Sequence, residues 1–417
     1  MDDQHFRPPA RTLLNCTDQL CIVETYQYEV IVIPVFLIGI AIILLAIIFC
    51  LQYRSLKLNK KRAQAEQDSQ ENYKGGNSGI RLAELSLDSV LRTRDPSLLE
   101  LEVQCERISE PFQLMAEGRF GPIYRTALRD TDGREARDIV VKQLKGTAEP
   151  YEVRDFLQRA AFQAWLGSHS NLVEIIGCCT ETKPFSLVLE CVEPGSLLQF
   201  LWDCRRDLVP MDGILYDLTE CQVYTIALQI LAALEFLHER KLLHGDVAAR
   251  NVLIQRNFTA KLTGLGGACE MHLRGNFPIR RPAPLKWLSP ERLLYLPVTE
   301  KADVWSFGIL LYEMITLGAP PYPGVPPSNI LQHLQRGTIM KRPPSCKQQL
   351  YNIIKACWTW KMGARISVPE LKKRLQVGKK SSDDRTVLQI PELVIPELYA
   401  EVAGTEALKM ENDYTVF

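Results

Sequence analysis

His244-Gly245-Asp246-Val247-Ala248-Ala249-Arg250-Asn251-Val252-Leu253-Ile254 is the stretch on which the reading of this 417-residue chain turns. A His-x-Asp by itself says little, because a histidine satisfied inside a fold beside a solvated aspartate is the ordinary meaning of such a pair. The information lies in the whole eleven-residue pattern, which sets the carboxylate of Asp246 five residues before the carboxamide of Asn251 and then runs into an apolar segment. Ten residues on stands Gly264-Leu265-Gly266. Upstream, Ala116-Glu117-Gly118-Arg119-Phe120-Gly121-Pro122-Ile123-Tyr124 reads as a glycine-bearing hairpin, a pattern that alone signifies only a turn. Ile139-Val140-Val141-Lys142 follows as a β-branched strand ending in lysine, to which order and spacing alone give a meaning.

Taken together these segments resemble the protein-kinase family. Ala248-Ala249-Arg250 and Pro284-Leu285-Lys286-Trp287-Leu288-Ser289-Pro290-Glu291 resemble its receptor-type tyrosine-kinase branch. The likeness runs on through Asp303 to Gly308, Thr316 to Gly318, Pro321 to Gly324, Cys357-Trp358 and Arg365, elements that inform on fold and hardly on activity. It implies an α+β, two-lobed fold over residues 109–377, with an antiparallel sheet and one helix in the first lobe and a helical second lobe. It also implies ATP and magnesium as cofactors. By the same resemblance, Ala116, Gly118, Gly121 and Ile123 belong to the loop over the nucleotide phosphates and Lys142 contacts those phosphates. Leu189 is the gatekeeper, Glu190 to Val192 form the adenine-contacting hinge, Asp246 is the catalytic base, and Asn251 is a metal ligand.

Four positions depart from the family pattern. Ala116 replaces the first loop glycine. Gly264 replaces the aspartate that holds the metal, and hard divalent cations in such sites rely on one or two carboxylates. In Phe156-Leu157-Gln158-Arg159-Ala160, Arg159 replaces the glutamate that pairs with the strand lysine. Two cations ~4 Å apart at an effective dielectric near ~20 repel by roughly 4 kcal/mol. Arg159 is therefore read as pointing to solvent on a helix swung outward, with Asp155 one turn back available to draw it aside and Glu152 as a substitute partner for Lys142. Gly245 replaces the arginine that clasps a phosphorylated residue, and the segment from Gly267 to Pro284 holds no Ser, Thr or Tyr to phosphorylate.

Zero formal net charge gives no electrostatic basis for binding nucleic acid, and 46% hydrophobic residues suffice for real cores. The uncharged run from Val30 to Leu51 is long enough to span ~30 Å of hydrocarbon at ~1.5 Å per residue, and predicts a single transmembrane helix. Arg54, Lys57, Lys60, Lys61 and Arg62 follow it, while Asp18, Glu24 and Glu29 precede it. Residues 1–29 are thus expected outside and the kinase-like domain in the cytosol. The basic cluster reads equally as a lipid-binding patch or a plain stop-transfer signal. Residues 52–108 read as basic juxtamembrane segment and linker. Asn15-Cys16-Thr17 is a glycosylation motif, Cys16 and Cys21 have the option of pairing, and Cys50 is placed for palmitoylation. The nine cysteines beyond the span, of 12 in all, are expected reduced, with no zinc-ligand spacing. Residues 378–417 read as an unstructured tail, with the duplication Ile390-Pro-Glu-Leu-Val and Ile395-Pro-Glu-Leu-Tyr, and with Tyr399 and Tyr414 as candidate phosphorylation sites. Expected partners are ATP and protein substrates or signalling adaptors. Two readings stay open: a tyrosine-kinase-family enzyme with impaired catalysis, and a scaffold that signals without phosphoryl transfer.

Overall fold

The computed structural model describes residues 35–40, 42, 90, 95–130, 136–205, 217–275, 283–390 and 394–404. It divides into two units, Met1–Gly76 and Asn77–Phe417. In the first, residues 35–40 and 42 are helical, and Val35, Phe36, Leu37, Ile38 and Ile42 are exposed. The rest of the expected span, the Asn15 motif, Cys16, Cys21, Cys50 and the basic cluster lie outside the described residues.

The second unit begins with a five-stranded antiparallel sheet in the order β1-β2-β3-β5-β4. Its strands are β1 (Gln113–Glu117), β2 (Pro122–Arg129), β3 (Ala136–Gln143), β4 (Ile175–Cys179) and β5 (Ser186–Glu190). The β-branched run in β3 explains why this strand sits at the centre of the sheet. Val140 enters the core beneath helix α1 (Pro150–Leu166), while Ile139 and Val141 pack with Val188 on the opposite face. That opposite face is covered by Ile108. Helix α1 starts at a capping box in which the Glu152 carboxylate accepts from the Glu149 N–H at 2.9 Å, and Pro150 supplies a preset first turn.

The lobe takes in more chain than sequence reading gave it. Residues 95–108, read as linker, pack on the sheet. Leu98 is fully buried, Val103 N donates to Cys178 O at 2.8 Å, and the Glu102 carboxylate accepts from Thr180 N (2.6 Å) and Thr180 Oγ1 (2.7 Å). The physical reason is that the sheet's end leaves backbone donors and apolar surface that this segment satisfies.

The helical lobe comprises α2 (Leu197–Asp203), α3 (Glu220–Glu239), α4 (Gly266–Arg274), α5 (Lys301–Ile315), α6 (Gln348–Cys357), α7 (Val368–Ser381) and α8 (Pro396–Ala403), with a small sheet of β6 (Pro194–Ser196), β7 (Val252–Gln255) and β8 (Ala260–Leu262). Among the described residues α3 alone is long and apolar enough to cross a membrane. Its Val223, Ile226, Ile230, Leu234 and Leu237 are fully buried in the lobe, so its hydropathy belongs to core packing. Gly308 lets α5 approach α6: a Cβ there would lie 2.7 Å from Cys357 Cβ.

The unstructured tail expected from Gly378 is corrected over its described part. Helix α7 continues to Ser381, and Gly378 is needed because a Cβ would lie 2.4 Å from the Tyr224 ring of α3. Val387 then bridges to Thr219, and α8 buries Tyr399 completely. Tyr414 lies outside the described residues.

Glu291 and Arg365 clamp the lobe with two hydrogen bonds of 2.7 and 2.9 Å, both residues being buried. Burial raises the Glu291 pKa, but the Arg365 hydrogen bonds and charge outweigh it and hold the carboxyl below its ordinary value. Its stabilising contribution is therefore present above the ordinary carboxylate pKa and is lost as pH falls through the depressed one. Glu291→Ala is expected to cost about 3–5 kcal/mol in denaturant titrations at neutral pH, because Arg365 is left buried and uncompensated. The deficit should shrink on acidification, and a variant of unchanged stability would contradict the clamp.

Candidate active site

The glycine-bearing hairpin joins β1 to β2, and its turn is closed by Gly118 N donating to Gly121 O at 2.8 Å. Gly121 has φ +144°, and a Cβ there would lie 2.6 Å from Gln143 O, so only glycine lets the hairpin lie this close to β3. Ala116 pairs with Ile123, and Ile123 in turn pairs with Lys142, so the sheet register itself gathers the predicted phosphate-loop residues around the lysine. Phe120, at the tip, is buried against Phe156 of α1 with ring centroids 5.5 Å apart.

Lys142 is nearly fully buried and lines a narrow pocket with Arg159, Leu189, Thr263, Gly264 and Leu265. Burial first, and then the Arg159 charge, push its pKa down to about 7. Glu190 and Val192 are buried where the lobes join. The Glu190 carboxylate accepts from Glu174 N (2.8 Å) and pairs with Lys261 (2.7 Å), so its side chain is committed to structure.

Arg159 corrects the sequence expectation. It is 1% exposed, not solvated, and donates to Asp155 at 3.1 Å and to Glu270 at 3.1 Å. The i,i+4 partner foreseen at Asp155 is real, whereas Glu270 of α4, itself buried, was not foreseen. Glu152 is not a partner for Lys142: its carboxylate caps α1 and pairs with Lys145 at 2.7 Å. Arg119 of the hairpin tip joins Asp155 at 2.8 Å, and Arg274 joins Glu270 at 3.0 Å. The result is an alternating chain of charges, Arg119–Asp155–Arg159–Glu270–Arg274, running from the glycine-bearing turn across α1 to α4. An acid one turn into a helix that starts at Gly264-Leu265-Gly266 was the available sequence signal for Glu270.

Across the cleft, Asp303 shapes the His244–Asn251 loop. It accepts from His244 N (2.9 Å) and Gly245 N (2.8 Å) and meets His238 Nε2 at 2.9 Å. Gly245 has φ +76°, the left-handed region that glycine adopts without strain. His244 is fully buried; its Nδ1 accepts from Asp246 N (3.2 Å) and its Nε2 faces Thr263 O (2.7 Å), which assigns the Nε2–H tautomer. Asp246 is bonded by Arg250 at one oxygen and by Asn251 Nδ2 (2.9 Å) at the other.

Gly264 stands against Asn251. Its φ is +76°, and a Cβ would lie 2.9 Å from both Asn251 Cγ and Oδ1. Asn251 Oδ1 is buried with no hydrogen-bond partner, the one oxygen here that faces the place where a position-264 carboxylate would enter. A single neutral oxygen does not make a magnesium site, which takes near-octahedral oxygen donors anchored by one or two carboxylates. Among the described residues no three His, Cys, Asp or Glu side chains converge on a point. The residues present do not fit the aspartate-anchored metal of the family pattern.

Residues 111–375 match the family model described as protein tyrosine and serine/threonine kinase. The chain is 49% identical to human tyrosine-protein kinase STYK1, over 98% of this chain and 99% of that protein, and 47% identical to its mouse counterpart over 98% of each. It is also 31% identical to the fruit-fly tyrosine kinase receptor Cad96Ca, over 62% of this chain and 35% of that protein. Protein kinases in general use ATP with Mg²⁺ and act on protein substrates. The sheet-gathered phosphate loop, the His244–Asn251 loop and these likenesses lead to one conclusion: the chain belongs to the protein tyrosine and serine/threonine kinase family.

Proposed function

We propose that the chain is a membrane-anchored signalling protein of the tyrosine-kinase family whose ATP-dependent phosphoryl transfer to protein tyrosine is impaired. The observation that carries this reading is the company kept by Lys142: a buried arginine and a glycine line its pocket at the positions where the family has carboxylates. Ala248-Ala249-Arg250 favours tyrosine over serine or threonine as acceptor, with Arg250 bonded to Asp246 and lying 4.6 Å from the Trp287 ring centroid. In the reaction a tyrosine oxygen bonds to the γ-phosphorus, the β–γ bridging P–O bond breaks, ADP leaves, and Asp246 takes the phenol proton. Lys142 holds the α- and β-phosphates, Gly118 and Gly121 bring bare backbone over them, and Glu190 to Val192 supply the hinge backbone. Asn251 would offer only a single neutral oxygen toward a metal accompanying the nucleotide. The apolar run 30–51 and its basic flank support a single-pass anchor with the N-terminus outside and the kinase domain in the cytosol.

A specific observation favours the second reading, a scaffold without turnover. The alternating charge chain holds the hairpin tip, α1 and α4 in one arrangement in which the two carboxylates of α1 are engaged elsewhere, Asp155 by Arg119 and Arg159 and Glu152 by Lys145. In that case adaptors recognised by the lobes are the partners.

Two experiments test the proposal. In transfer to a tyrosine peptide by the full chain in detergent micelles, Asp246→Asn should abolish a slow turnover. Gly264→Asp should raise it little by itself, and about 10²-fold when combined with Arg159→Glu. Equal background in wild type and Asp246→Asn overturns the enzyme reading in favour of the scaffold. For nucleotide binding, Lys142 must carry its proton, and below its pKa of about 7 it already does. Calorimetric ATP affinity is therefore expected to be flat below pH ~7 and to fall by up to ~10-fold per unit above it, a dependence lost in Lys142→Met. A pH-independent affinity in wild type would contradict this role.

A further inference from the structure

Tyr399 of α8 is fully buried in a slot away from the nucleotide cleft. Its ring meets Trp202 edge-on at 5.8 Å and Trp287 at 5.4 Å, and its hydroxyl donates to the Glu313 carboxylate. Glu313 also accepts from Ala249 N at 3.0 Å, so the floor of the slot is bonded directly to the catalytic loop. Arg250 forms a wall, lying over Trp287 and bonded to Asp246. Trp202 is fixed by donating to Gly318 O at 2.9 Å. Tail and slot are complementary beyond the one ring: Ala400 and Ala403 are buried with Tyr399, and the Glu401 charge acts on Lys286, while Leu398 stays exposed.

Four elements build the slot: α2, the catalytic loop, the 285–287 turn and the end of α5. On the reading proposed above, Ala248-Ala249-Arg250 favours tyrosine as acceptor and Arg250 lies over Trp287 of this slot, and this inference rests on that reading. The occupant here is a tyrosine from the chain's own tail, within Ile395-Pro396-Glu397-Leu398-Tyr399. The preceding near copy, Ile390 to Val394, carries valine where this one carries tyrosine.

We propose that this slot is a docking site for a tyrosine-bearing apolar peptide, that Tyr399 fills it in cis, and that phosphorylation of Tyr399 evicts the tail and opens the slot to a protein partner bearing such a segment. The docked hydroxyl is inaccessible and engaged by Glu313, so only an undocked tail is a substrate. In that step the Tyr399 oxygen bonds to the γ-phosphorus of ATP held by another kinase, ADP departs, and the phenol proton passes to that kinase's base. The product carries about −1.5 to −2 charge on a bulky group. It would have to enter a closed aromatic slot against the Glu313 carboxylate, and burial has already driven the phenol strongly toward its neutral form. Docking and phosphorylation therefore exclude each other.

Amide exchange on the full chain in micelles tests this, with Tyr399→Phe and Tyr399→Glu. The phenylalanine variant keeps the ring packing and should hold protection in 396–403 to within about tenfold. The glutamate variant should lose at least ~100-fold in 396–403 and in 285–287 while α3 stays protected. Continued protection of 396–403 in Tyr399→Glu would overturn the proposal, as would loss that spreads through α3, which would make Tyr399 ordinary core. A labelled peptide of residues 394–404 should bind Tyr399→Glu at least about tenfold tighter than wild type, and its phosphotyrosine form should bind neither. Equal binding to both chains, or binding of the phosphopeptide, also overturns it. These readouts report docking and not turnover, so they fail or stand separately from the catalytic reading.

Discussion

The buried ion pair between Arg159 and Glu270 is the constraint around which the cleft is arranged. Both side chains are out of water, and the desolvation that this entails is offset only because each has a second partner, Asp155 and Arg274. Three features accompany the burial of Arg159 in this position. Helix α1 is tied to α4 and, through Arg119, to the glycine-bearing turn. Lys142 shares its pocket with a cation, whose charge adds to burial in lowering the lysine's affinity for its own proton. The carboxylate nearest the start of α1, Glu152, is spent on the helix cap and on Lys145. A position that in the family pattern carries the lysine's counter-ion carries a cation here and has become the hub of a charge network.

The glycine at 264 belongs to the same arrangement. Its left-handed backbone and the 2.9 Å approach to Asn251 mean that the loss of the acid is built into the local geometry, not a bare deletion of a side chain. Restoring the acid requires Asn251 to give way. The unpartnered Asn251 oxygen that remains marks where the second half of a metal site would have been completed.

Much of this was legible in the sequence, and for identifiable reasons. The His244–Asn251 loop and the β-branched run of β3 are local patterns whose meaning is set by neighbours a few residues away. Asp155 as a partner for Arg159 follows from helical spacing alone. What was not legible depends on contacts distant in sequence. Glu270 lies 111 residues from Arg159, and from composition a lone arginine in place of an acid looks like a solvated one. The tail reads as polar and irregular because the aromatic slot that orders Tyr399 comes from Trp202, Trp287 and Glu313, far upstream. Residues 95–108 read as a linker because the backbone donors they satisfy lie in and just after a strand nearly 80 residues later.

Exchanging the charges of the Arg159–Glu270 pair tests whether it sets the arrangement of α1 and α4. Arg159→Glu, Glu270→Arg and the double exchange would be compared by denaturant titration and by amide exchange in residues 266–274. Each single exchange is expected to cost about 3–5 kcal/mol and to expose α4, and the double exchange to recover most of the loss. Additive losses in the double exchange, with α4 no better protected than in the single variants, would contradict it.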